Sequence, residues 1–236
     1  MRSDQFADRA AGWDEAGQRV RNVESIAREM RRRIRFHAGM NIMDFGSGTG
    51  LLLEWIAPRV ASITAVDTSP AMNEQLASKR DALDCALEIL AIDLLATDLD
   101  RRFDGIISSM TIHHIADIPA LFRRFHALLE EGGFIAIADL DTEDGSFHDD
   151  STSVFHQGFD RQALKRVVSD AGFTRVDIAT ASVVPLTALS APSVAEAVTV
   201  RLKSPSSGMT WQRRSSACLS AIARSSPPSS ASTRQL

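Results

Sequence analysis

Apolar residues fall into two spacings along the first 180 positions. Val23, Ile26, Ala27, Met30 and Ile34 recur every three to four residues, which predicts the buried face of an amphipathic helix. Arg28, Arg31, Arg32, Arg33 and Arg35 fill the remaining positions and are read as a solvated face rather than an anion site. Short apolar runs follow at Asn41–Phe45, Ser62–Val66, Ala86–Ile92, Phe103–Ser109, Phe134–Asp139 and Phe173–Ala179, the pattern of strands buried on both faces. Helices with readable ends lie between them. Leu51–Ala57 follows a glycine-rich turn, Ser69-Pro70 opens a helix running toward Ala82, and Asp117 to Pro119 opens another that Gly132-Gly133 is expected to stop. Asp160 caps Arg161–Ala171, with Gly172 at its end. Strands alternating with helices predict an α/β domain whose mostly parallel sheet is covered on both faces.

After about Leu202 the periodicity stops. The last 36 residues hold 11 Ser and three Pro, so residues 203–236 are expected to be disordered. Residues 194–202 are ambiguous: Ser193 with Glu196 makes a capping box, whereas Val198, Val200 and Leu202 alternate like a strand; the helix is favoured. Charge follows the same division. Of 26 Lys/Arg and 30 Asp/Glu, residues 201–236 carry six basic residues and no acid, leaving a body of net charge −10. Such a body argues against a nucleic-acid groove. No run of 18 apolar residues and no secretory h-region is present, so the expected compartment is the cytoplasm, with no membrane span. Two cysteines, Cys85 and Cys218, exclude a disulfide framework or a zinc finger, and the absence of tyrosine removes that general base.

The chemistry begins at Asp44-Phe45-Gly46-Ser47-Gly48-Thr49-Gly50, after one predicted strand and before a helix. Glycines there let the chain turn sharply and leave no Cβ between its N–H groups and a ligand. Asp67 ends the next strand, 17 residues after Gly50, where a carboxylate can accept both hydroxyl protons of a ribose. Asp44 before the first glycine suits an ammonium group and repels a pyrophosphate, favouring a zwitterionic cation over a dinucleotide. No G-x-x-x-x-G-K-[ST] run exists, which excludes a P-loop nucleotidase.

Asp44–Gly50, then Ala65-Val66-Asp67-Thr68-Ser69-Pro70-Ala71-Met72, then Ile92-Asp93-Leu94 resemble the motifs of class I S-adenosylmethionine-dependent methyltransferases, in order and spacing, from Phe6 to about Ala179. Phe6, Ala10, Trp13 and Asp14 are similar to the F-x-x-x-A-x-x-W-D opening of the bacterial small-molecule branch found in ubiquinone and menaquinone biosynthesis. The resemblance implies a Rossmann-like, doubly wound sheet of six to seven strands, the last antiparallel, and S-adenosylmethionine as cofactor. It implies that Asp44, Gly46, Ser47, Gly48 and Gly50 hold the methionine part, that Asp67 takes the ribose, and that Thr68 and Met72 flank the adenine. Asp93 would meet the adenine amine with Leu94 beside it, and Ser109 and Met110 would face the sulfonium. Trp13 would belong to a mobile N-terminal lid, the alternative being a core anchor. The implied methyltransferase domain spans residues 1–185, with residues 1–37 as lid and first helix.

Methyl transfer is an in-line displacement, so the protein must chiefly align the partners and exclude water, adding a base only where the acceptor holds its proton at neutral pH. His113 and His114 follow the fourth strand; His148 and His156 follow the fifth. Both segments lie at the carboxyl ends of strands, and His114, His148 and His156 are the candidate bases. Ser108-Ser109-Met110-Thr111 does not match the [DNS]-P-P-[YFW] run of amino-methylating nucleic-acid enzymes, and Ile112–Ile118 lacks the glutamates of arginine methyltransferases. Asp139 and Asp141 offer a metal alternative, but no metal is expected. A small organic acceptor remains, the competing reading being a catalytically inactive cofactor-binding partner or regulatory protein. The ending departs from the family. Pro185, Pro192 and Pro227-Pro228 stand where a closing strand is expected, so residues 186–236 are read as an atypical extension, as a shifted reading frame would leave, with a basic tail for an acidic partner as the alternative.

Overall fold

The computed structural model describes residue 4, residues 6–142 and residues 154–183. Among them, five strands form one parallel sheet: β1 (Asn41–Phe45), β2 (Ser62–Val66), β3 (Ala86–Leu90), β4 (Phe103–Ser109) and β5 (Leu129–Ala138), in the order β3-β2-β1-β4-β5. The helices are α1 (Ala7–Ala10), α2 (Gly17–Arg33), α3 (Leu53–Ile56), α4 (Pro70–Ser78), α5 (Ile118–Ala127) and α6 (Arg161–Asp170). Strand side chains alternate between two cores. Met43, Phe45, Ile106, Ile135 and Ile137 pack with Leu121, Phe122 and Phe125 of α5 and Leu164 and Val168 of α6. Ile42, Ile63, Ile107 and Ala136 pack with Val23, Ile26 and Met30 of α2 and Leu53 and Ile56 of α3. The doubly wound α/β architecture follows from that alternation, each fully buried aliphatic or Phe side chain contributing about 1.5–3 kcal/mol.

The predicted caps form. Ser69 Oγ accepts from Met72 N (3.2 Å), Asp117 from Ala120 N (2.8 Å) and Asp160 from Ala163 N (2.7 Å). Arg28 and Arg32 of α2 are solvated and face glutamates of their own helix, Glu24 (2.9 Å) and Glu29 (2.8 Å), whereas Arg33 is only 14% exposed, held between Glu29 and Asp177. Two expectations need correction. α5 ends at Ala127, and Gly132-Gly133 lies inside β5, where the ladder jumps from Phe103 opposite Leu129 to Gly105 opposite Phe134. Gly132, at φ +78, supports a bulge there rather than a helix stop. Phe173–Ala179 is not a strand and joins no ladder among the described residues, where the sheet has five strands. Phe173 packs edge-on against Phe122 (6.3 Å), and Asp177 pairs with Arg33, so side chains anchor the segment. The position at which a closing strand is expected falls after residue 183 and outside the described residues, as do residues 194–202 and 203–236.

Because all strands run parallel, their carboxyl ends share one edge, and the order reverses between β1 and β4. Ligands of open α/β sheets bind at that switch point. The loops after β1, β2, β4 and β5 meet there.

Candidate active site

After β1 the chain turns through Gly46 (φ +69), Gly48 (φ +53) and Gly50 (φ +83). Gly46 N and Ser47 N donate to Val66 O (2.8 and 3.3 Å), tying the loop to the end of β2. The glycines serve different ends. A Cβ on Gly46 would lie 2.1 Å from Thr111 Cγ2, and one on Gly50 2.5 Å from Leu76 Cδ1, so both permit close packing. Among the described residues, a Cβ on Gly48 would meet nothing within 4 Å; this glycine faces open space.

Asp67 supports the open position. Its Oδ2 accepts from Gly48 N (2.8 Å) and its Oδ1 from Ser69 N (2.8 Å). Burial raises its pKa, opposed by those two N–H groups and assisted by the nearby Asp4 carboxylate. Asp44 is in a harsher place. Only 1% exposed, it has no partner for Oδ1, and burial, then repulsion from Asp67, push its pKa up to about 8. The Oγ atoms of Ser47 and Ser109 are likewise buried without a hydrogen bond. Among the described residues, the Asp44 oxygen and these two hydroxyls are therefore buried polar atoms without a partner.

The other cofactor candidates are dispersed around this centre. Thr68 is exposed and Met72 buried at the start of α4. Asp93 is exposed, its Oδ1 accepting from Leu95 N (2.9 Å), whereas Leu94 sits in the core with Phe45 and Val66. Met110, just past β4, has φ +56, an uncommon conformation for a residue with a Cβ.

His114 is partly exposed, its ring 5.7 Å from Phe6. His156 commits Nε2 to Ile115 O (2.9 Å), leaving Nδ1 as the nitrogen with reach for other chemistry. His148 lies outside the described residues. Sequence reasoning passed over His113, which is buried with Nδ1 2.6 Å from Asp139 Oδ1. The usable signal was topological: both residues follow the ends of adjacent strands. Asp139 also accepts from the amides of Thr111, Ile112 and Leu140, and Asp141 from Arg161 Nε (3.2 Å). Those bonds commit both oxygens of Asp139 to amides and the imidazole, and one oxygen of Asp141 to the guanidinium.

An N-terminal segment spans the same edge. Asp4 Oδ2 accepts from Ser69 Oγ (2.8 Å), Phe6 meets Trp13 edge-on (5.8 Å), and the Arg19 guanidinium lies 3.8 Å over the Trp13 ring. Asp14 latches the segment to the glycine loop, accepting from Thr49 Oγ1 (2.6 Å) and pairing with Lys79 at the end of α4. Asp14→Ala is expected to cost about 1–2 kcal/mol and lower the melting temperature by about 2–6 °C in a thermal scan. An unchanged midpoint would show that the latch carries no stability.

Comparison with known proteins gives this geometry its context. A methyltransferase-domain family model matches residues 18–178, and the chain belongs to that family. An uncharacterized methyltransferase of Schizosaccharomyces pombe is 28% identical over 60% of the chain and 56% of its own length. Phosphoethanolamine N-methyltransferase 1 of Arabidopsis thaliana is 32% identical over 58% of the chain and 29% of its own length. A ubiquinone biosynthesis O-methyltransferase of Xanthomonas axonopodis is 28% identical over 47% of each. The chain thus spans about half or less of the curated relatives it matches. A putative methyltransferase solved with the Haloferax volcanii Trm112 activator superposes with a TM-score of 0.67, at 20% identity, over 77% of this chain and 82% of that one. The fold is that of class I S-adenosylmethionine-dependent methyltransferases. Its cofactor fits the residues present: the orphaned Asp44 Oδ1 suits an ammonium, and the open space at Gly48 admits a ligand against backbone.

Proposed function

We propose that the chain binds S-adenosylmethionine at the carboxyl ends of β1, β2 and β4, beside the switch point, and methylates a small organic acceptor. The observation that carries this reading is the buried Asp44 oxygen without a partner beside the one loop glycine that faces open space. Asp44 accepts the ammonium, the Gly46–Gly50 backbone orients the methionine end, and Asp67 accepts the ribose hydroxyls through its remaining lone pairs. Bound there, the cofactor supplies a methyl group already activated by positive sulfur. Ser109 and Met110 border that group, and the acceptor lies between residues 110–115 and 154–159, which would align it with the methyl group. A proton, where the acceptor has one to lose, goes to His114 or to Nδ1 of His156. The domain is assigned to residues 1–185, with 186–236 a separate extension.

The relatives named above include an N- and an O-methyltransferase, so the acceptor class is small-molecule amine or hydroxyl. Incubation with S-adenosylmethionine and a panel containing phosphoethanolamine and prenylated catechols is expected to yield S-adenosylhomocysteine above the acceptor-free rate. Tight cofactor binding with no turnover on any acceptor would overturn the enzyme reading in favour of a non-catalytic cofactor-binding protein. Among the described residues no helix is long and apolar enough to cross a membrane.

A further inference from the structure

The turn after β4 needs external support. Met110 occupies the left-handed region, and Thr111 beyond it is off the regular basins at φ −132, ψ −40. Support comes from the end of β5. Met110 N donates to Ala138 O (2.7 Å), and Asp139 Oδ2 accepts from both Thr111 N (3.0 Å) and Ile112 N (2.8 Å). Asp139 Oδ1 accepts from Leu140 N (2.8 Å) and faces His113 Nδ1 at 2.6 Å. With three amides pointing at it, the carboxylate can only accept, so the imidazole presents Nδ1–H. Both side chains are 1% exposed.

The same histidine extends the connection to a third segment. His113 O accepts from Phe155 N (3.0 Å) and His156 N (3.2 Å), and His156 Nε2 returns to Ile115 O (2.9 Å). Asp139 therefore fixes the turn, the turn fixes the His113 carbonyl, and that carbonyl seats residues 154–159.

We propose that Asp139 and His113 are a positioning pair for the acceptor side of the site. They hold the Met110 turn in its left-handed form and, through the His113 carbonyl, set the separation between the methyl-donor end and the 154–159 wall. The mechanical part stands on these hydrogen bonds alone; its link to acceptor binding rests on the proposed function.

The test compares three variants of the full chain by hydrogen–deuterium exchange, by S-adenosylhomocysteine calorimetry and by steady-state kinetics with the acceptor that gives turnover. His113→Leu keeps bulk but loses the donor, His113→Asn keeps an N–H near the Nδ1 position, and Asp139→Asn sets an amide donor against amide donors. His113→Leu and Asp139→Asn are expected to speed exchange about tenfold or more in residues 111–115 and 154–159 while β1 and β2 stay protected. Cofactor-product affinity should stay within about twofold while acceptor kcat/KM falls about tenfold or more, and His113→Asn should recover most of the loss. Should His113→Leu fail to fold, His113→Asn against Asp139→Asn gives the same contrast. Unchanged exchange in both segments, or an equal rise throughout β1 to β3, would overturn the positioning role. Local loosening with unaltered acceptor kinetics would overturn its acceptor side. Absence of turnover in the parent would instead count against the proposed function, with exchange still deciding the mechanical part.

Discussion

S-adenosylmethionine affinity is expected to rise with pH up to about 8, by as much as about tenfold per unit, because binding must ionise Asp44. Burial and the neighbouring Asp67 raise the Asp44 pKa from 3.8 to about 8, so in the free protein at neutral pH the carboxyl is mostly protonated. An ammonium beside Oδ1 reverses the preference, and one proton leaves. Calorimetry at pH 7 in buffers of different ionisation enthalpy should therefore show close to one proton released. The sign for stability is the opposite. A carboxyl whose folded pKa lies above its unfolded value contributes stability that is fully present below about 4 and lost as pH rises through about 8. Asp44→Asn should accordingly make the ligand-free protein more resistant to melting above pH 8, while weakening the cofactor about tenfold or more and abolishing proton release. Buffer-independent heats in the parent would remove the ammonium assignment.

Asp67→Ala is expected to weaken S-adenosylmethionine by about 1.5–3 kcal/mol, a tenfold to 150-fold rise in Kd. Two losses combine. The ribose loses a charged acceptor, and Gly48 N loses the carboxylate that holds it at 2.8 Å, so the open segment of the loop loses its tether to the end of β2. Asp67→Asn separates them. It can still accept from Gly48 N through its amide oxygen, so it should keep the loop while losing the charge, and its affinity should fall between parent and alanine. Equal affinity in all three would sink the ribose role of Asp67.

The parts of this architecture written locally were legible in the sequence. β1, β2 and β4 have the predicted bounds because each short segment is centred on buried apolar residues (Ile42-Met43, Ile63 with Ala65-Val66, Ile106-Ile107), and the caps at Ser69, Asp117 and Asp160 form because each needs only an amide three residues away. Gly132-Gly133 misled because glycine marks a strand bulge as readily as a helix end. Phe173–Ala179 has strand composition, but a strand also needs a neighbour, and composition does not supply one. The same limit governs the site. Asp44 and Asp67 were found through their spacing to glycines and strand ends. His113 with Asp139 and Asp14 with Thr49 and Lys79 are partnerships across 26, 35 and 65 positions, visible only once the strand order is fixed.

Gly46 and Gly50 are held to glycine by neighbours of this chain, Thr111 and Leu76, whereas nothing among the described residues stands against the open side of Gly48, where the proposed cofactor would lie. A motif usually treated as a single signature therefore records two separate selective demands. A descendant that ceased to bind any cofactor would still be held to glycine at the first and third positions by packing and backbone strain, whereas the second, at φ +53, would be open to Asn or Asp, and Asp44 would be free to drift. Survival of the glycine pattern as a whole is thus a weak mark of an active enzyme in this lineage; the pairing of a bare Gly48 with a buried, unsatisfied carboxyl is the informative one.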